Sequence, residues 1–112
     1  MRHKKVERMY SMTGKLIAKA GARDQLTNIL LRAAEGVSRI PECRAYIVCE
    51  DVKDENSVWV FEMWDNKEAH DNSLKDGQTR ALIAEAMPLL AAAPDGAELR
   101  VAGGHGVSHF TA

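Results

Sequence analysis

Three side chains able to do chemistry stand close together in the run Ser57-Val-Trp-Val-Phe-Glu-Met-Trp-Asp-Asn-Lys-Glu-Ala-His-Asp-Asn-Ser73: the carboxylate of Glu62, the indole of Trp64 and the imidazole of His70. An imidazole titrates near working pH and is a natural general base or acid. An indole offers a broad apolar face on which a flat ring can lie. Glu62 sits within an otherwise apolar alternation, where a carboxylate must be paired, hydrogen-bonded or protonated. Each has a plain structural alternative: His70 as a surface histidine bonded to a neighbour, Trp64 as core, and Glu62 as the ion-pair partner of Arg100, Lys15 or Arg44.

A strand passing into a helix must position these residues. Residues 57–64 alternate with period two, which puts Trp59, Phe61 and Met63 on one side and Val58, Val60, Glu62 and Trp64 on the other. Both sides are mostly apolar, so the strand belongs in the middle of stacked layers. Asp65 followed by Glu68 resembles a capping box, which predicts a short helix from about Asn66, carrying His70 and breaking around Asp76-Gly77. Before it come a strand over 9–19, an amphipathic helix over 22 to about 38 with Leu26, Ile29, Leu30, Ala33 and Val37 at helical spacing, and a β-branched strand over 43–50. A charged hairpin loop joins that strand to the next. After it come a helical stretch from 78 to about 90, ended or kinked by Pro88, and a strand in which Ala97, Leu99 and Val101 alternate with Glu98 and Arg100. The order βαββαβ predicts an α+β, ferredoxin-like domain with helices on one face of an antiparallel sheet. Val58, Val60 and Trp64 are too apolar for water, so their side is expected to close on the sheet of a second chain, forming a dimeric α+β barrel with one cavity per chain.

At 112 residues the chain is long enough for one core and not two. The expected division is a flexible extension over 1–8, the domain over 9–104 and a tail over 105–112. A net charge of −1 gives no electrostatic argument for nucleic acid or an anionic membrane, and no apolar run approaches spanning length. A cytoplasmic location is expected. Cys43 and Cys49, on one strand, would stand roughly 20 Å apart, too far for a disulfide, which fits two reduced and mostly buried thiols. Gly103-Gly-His-Gly106 follows a strand but opens no helix, so it is not a nucleotide loop. His105 and His109 have metal-ligand spacing only on a helix, which the glycines oppose, so no metal is expected. Tyr10 and Tyr46 are expected to pack or to reach the cavity.

Ile40-Pro-Glu-Cys-Arg-Ala-Tyr46, Phe61-Glu-Met-Trp-Asp-Asn-Lys-Glu-Ala-His-Asp-Asn-Ser-Leu74 and Arg80-Ala-Leu-Ile-Ala-Glu-Ala-Met-Pro-Leu89 resemble the antibiotic-biosynthesis-monooxygenase-type domains, the group that includes quinol monooxygenases. The resemblance runs from about Gly14 to Gly106, with Pro-Glu-Cys where many relatives have Pro-Gly-Cys. Polyketide-oxidising relatives place Asn, Trp and Tyr around the substrate where this chain has Val60, Trp64 and His70. Haem-degrading relatives use Asn, Trp and His where it has Met12 or a neighbour, Ser73 and Ile83, so haem breakdown is not expected. The resemblance implies a homodimer that oxidises a quinol or other small phenolic compound with O2 and no bound cofactor. His70 and Glu62 would then be catalytic, and Trp64, Val60, Tyr46 and Val58 would hold the substrate. The alternatives are an isomerase on a small carbonyl metabolite and a non-catalytic dimeric domain that binds a small apolar molecule.

Overall fold

The computed structural model describes residues 9–107. The expected extension over 1–8, residues 108–112 of the expected tail, and His109 therefore lie outside the described residues. In chain order the elements are β1 (Tyr10–Ile17), α1 (Arg23–Val37), β2 (Cys43–Glu50), β3 (Ser57–Trp64), α2 (Lys67–Ser73), α3 (Gly77–Ala86), a 3-10 turn (Met87–Leu89) and β4 (Asp95–Arg100). The strands form one antiparallel sheet in the order β2-β3-β1-β4, so the expected ferredoxin-like α+β fold is present.

Local chemistry sets the boundaries. The Asn66 side chain, not that of Asp65, caps α2 by accepting the Ala69 N–H at 2.8 Å, while Asp65 takes a two-pronged bond from Arg44 at 2.7 and 3.1 Å. The Asp76 carboxylate caps α3 through the N–H groups of Gln78 and Thr79, which puts the break between the two helices at Asp76-Gly77. Pro88 lies in the 3-10 turn, where α3 has already ended.

The expectation that the Val58, Val60 and Trp64 side of the sheet closes on a second chain is corrected by what packs on it. Val58 and Val60 pack with Leu26, Ile29 and Leu30 of α1 and Leu82 and Ala86 of α3, and Trp64 packs with Tyr10 and Val37. The valine, glutamate and tryptophan side of β3 is thus covered by the chain's own helices. Period two permits two apolar faces, and the helices of this chain fill the first of them. The opposite face carries Trp59, Phe61 and Met63, with Ile47, Thr13 and Leu99 beside them in register. Met63 is buried there under Met9, while Trp59, Ile47 and Leu99 remain exposed at 37%, 44% and 47%. Cys43 is half-buried and Cys49 exposed, both as free thiols, so only the first approaches the expected burial.

β4 is held to β1 by a close backbone approach. Gly96 stands opposite Gly14, and a Cβ added to Gly96 would lie 2.7 Å from the Thr13 carbonyl oxygen. Gly96→Ala should therefore push β4 off β1 and lower the unfolding free energy by about 1–3 kcal/mol, read as an earlier urea midpoint. An unchanged midpoint would show that the two strands do not meet this closely.

Candidate functional site

Between the sheet and the helices lies a hollow of about 460 Å³, with Ile29 and Leu30 of α1 and Leu82 and Ile83 of α3 among its walls. Tyr46, Glu62, Ser73 and Thr79 are the polar side chains that line it. A void of about 150 Å³ holds benzene, so this one takes more than a single ring. Its rim is apolar as well: Leu74, Ile83 and Met87 line it and are about half exposed.

Glu62 enters the hollow from β3, opposite Tyr46 of β2 in the sheet register. Its Oε1 accepts the Trp64 indole N–H at 3.0 Å and lies 3.9 Å from His70 Nε2. None of Arg100, Lys15 or Arg44 partners it: Lys15 stands over Trp59 on the opposite face, and Arg44 binds Asp65. Burial raises the Glu62 pKa above its ordinary value, against the Trp64 hydrogen bond and the charge that His70 carries when its ring is protonated, which both favour the carboxylate. One acid of elevated pKa therefore faces a largely apolar space, beside the hydroxyls of Tyr46, Ser73 and Thr79.

His70 does not line that hollow, nor does it point into bulk water. Its side chain is 6% exposed and sits behind Glu62, edge-on to Trp64 at 5.7 Å between ring centroids and beside Tyr10 at 5.2 Å. Its Nδ1 meets Asp71 Oδ1 at 3.0 Å, and Ser73 donates to its carbonyl oxygen at 2.6 Å. Asp71 is bonded in turn by Lys67, which also reaches Glu98, and Glu98 accepts the Tyr10 hydroxyl at 2.8 Å.

Of the residues expected to contact substrate, Glu62 and Tyr46 line the hollow. Val58, Val60 and Trp64 do not, because the helices press them into the core, with Trp64 and Val58 at 0% exposure. Trp64 reaches the site only through its N–H. Tyr10 packs on His70 rather than reaching the hollow, and its hydroxyl, pushed up to about 12 by burial and by Glu98, stays protonated. Burial also pushes the Cys43 thiol up to about 11, so it is no nucleophile at neutral pH. Sequence reasoning missed Asp71, whose only signal was its place next to His70, and Ser73 and Thr79, whose small hydroxyls carry no motif. Among the described residues no group of three or more His, Cys, Asp or Glu side chains could hold a metal ion, and no helix is long and apolar enough to cross a membrane.

The family model for antibiotic biosynthesis monooxygenases matches residues 9–85. The chain belongs to this family. A candidate antibiotic biosynthesis monooxygenase from Chloroflexus aurantiacus J-10-fl is 40% identical, with a TM-score of 0.78 over 88% of this chain and 98% of its own. Candidate family members from Caulobacter crescentus CB15 (19% identity, TM-score 0.79, 87% and 92% covered) and Nitrosomonas europaea (12%, 0.80, 89% and 93%) share the fold. None of the curated proteins matches the chain. Within the antibiotic biosynthesis monooxygenase family, this member places its site carboxylate in a hollow formed by one chain's sheet and helices. Family membership supports a monooxygenase-like role in general terms.

Proposed function

We propose that the protein is a cofactor-independent monooxygenase that oxidises a quinol or similar small phenolic compound with O2. The observation that carries this reading is Glu62, an acid of raised pKa facing an apolar hollow large enough for an aromatic substrate. An ionised Glu62 accepts the phenolic proton, and the electron-rich ring anion then reduces O2 and bonds to it at the ring carbon beside the oxygen. The peroxide formed there is protonated by Glu62. Removal of the hydrogen on that carbon turns the new C–O bond into a carbonyl as the O–O bond breaks, and hydroxide leaves as water. The sum is quinol plus O2 to hydroxyquinone plus water, with all electrons drawn from the substrate. Tyr46 supplies a phenol group whose pKa burial raises, so it remains a donor toward the developing oxygen anion. The apolar walls keep water from the intermediates.

Oxygen consumption with a panel of hydroquinones tests the reading, and 18O2 should leave one labelled atom in the product and the other in water. If ligands raise the melting temperature while no oxygen is consumed, the protein is a binding domain instead.

The same reading includes a homodimer closed through the outer sheet face, where Phe61 lies amid exposed Trp59, Ile47 and Leu99. An isologous pairing covers that patch on both copies. Phe61→Lys should convert the dimer to monomer in sedimentation velocity, and an unchanged sedimentation coefficient would exclude this face.

A further inference from the structure

The proton that Glu62 takes from the substrate is needed again when the peroxide forms, so it has to be kept near the reacting atoms and away from bulk water. We infer that His70 stores this proton and that Asp71 is the positioning residue that fixes the imidazole in the tautomer such a store requires. The inference rests on Glu62 being the base.

The geometry is directional. His70 Nδ1 is within hydrogen-bond distance of Asp71 Oδ1, at 3.0 Å, whereas Nε2 lies 3.9 Å from Glu62 Oε1. An ionised carboxylate only accepts, so Nδ1 carries the hydrogen and Nε2 turns its lone pair toward Glu62. The His70 hydrogen bond and Lys67 hold Asp71 below the usual carboxylate range, which keeps it an acceptor. Approach of Nε2 by roughly 1 Å brings it into bonding range of a protonated Glu62. The proton then passes to Nε2, giving an imidazolium stabilised by Asp71, and returns by the same path with none lost. With 6% of its side chain exposed, His70 is shielded, while Asp71, 45% exposed, faces water on the far side.

The other titratable groups around His70 fit this arrangement. Tyr10 of β1 stays protonated beside the ring, and Lys67 of α2 binds both Asp71 and Glu98 of β4. Cys43 of β2, packed with Trp64 and Tyr10, remains a thiol. Asp71 and Glu62 are thus the carboxylates that His70 contacts directly.

Nitrogen-15 NMR of the histidine-labelled full chain, without substrate at neutral pH, reads the tautomer. The expected spectrum has a protonated Nδ1 and a bare Nε2 for His70. Asp71→Ala should shift the ring toward protonated Nε2, and Asp71→Asn, whose carbonyl still accepts from Nδ1, should restore the original state. A protonated Nε2 in the unaltered protein, or the same tautomer in Asp71→Ala, overturns the inference. In oxygen uptake Asp71→Ala should lose roughly tenfold with a displaced pH profile, and Asp71→Asn, which keeps the acceptor but not the charge that stabilises the imidazolium, should keep the tautomer without recovering the full rate. Equal rates and profiles in all three proteins overturn the inference even where uptake is seen. A failure of the oxygenase reading is told apart by the unaltered protein consuming no oxygen, a result independent of the tautomer.

Discussion

Glu62→Gln is expected to lower oxygen uptake with a responsive hydroquinone by about 10²- to 10⁴-fold, the span that a positioned general base contributes, while leaving ligand binding nearly intact. Glutamine keeps the size of the side chain and still accepts the Trp64 N–H through its amide oxygen, so the hollow retains its shape. What disappears is a group able to take a proton. The same substitution should raise stability at neutral pH. Because the folded pKa of Glu62 is raised, the folded chain binds more protons than the unfolded chain between the ordinary carboxylate value and the raised one. Unfolding free energy contributed by this group therefore falls as pH rises through that window, and above it the native state carries the cost of a buried charge, only partly offset by the Trp64 hydrogen bond. The melting temperature of Glu62→Gln should exceed that of the unaltered protein at neutral pH, and the gap should close as pH falls below the window. A variant with full activity would remove Glu62 from the chemistry.

How much of this was legible in the sequence depended on whether the signal was local. The spans of β2 and β3 follow from β-branched, alternating residues, and Asp76-Gly77 marks the helix break through a side chain three atoms from the backbone it caps. Glu62 stood out for the same reason, being one carboxylate in an apolar row. The side of β3 that faces the helices was not legible, because Trp59, Phe61 and Met63 are as apolar as Val58, Val60 and Trp64, and only the folded chain decides between them. Lys15 could not be excluded as a partner of Glu62 until the register set it opposite Trp59, which places it on the other face. The position of His70 depends on the rotation of a seven-residue helix, and a change of one residue in its start turns a side chain by about 100°, so a cap at Asn66 rather than Asp65 matters.

Trp64→Ala is expected to cost about 3–5 kcal/mol of unfolding free energy in urea, the range for emptying a large aromatic site in a packed core. At 0% exposure, among Tyr10, Val37, Ile40 and Cys43, the indole has no surface to which its loss could be relieved. That variant weakens the fold and the site together, since His70 stands edge-on to the ring. Trp64→Phe separates the two effects. It keeps most of the apolar volume and removes the N–H that reaches Glu62 Oε1 at 3.0 Å. A hydrogen bond to the charged form lowers an acid's pKa, so its removal should move the Glu62 pKa further up. Activity that needs ionised Glu62 would then begin at higher pH, and the rising limb of the oxygen-uptake profile should shift to the alkaline side with a modest loss of stability. A limb that stays in place while Trp64→Ala unfolds early would mean that the ionisation read in the profile belongs to a group other than Glu62.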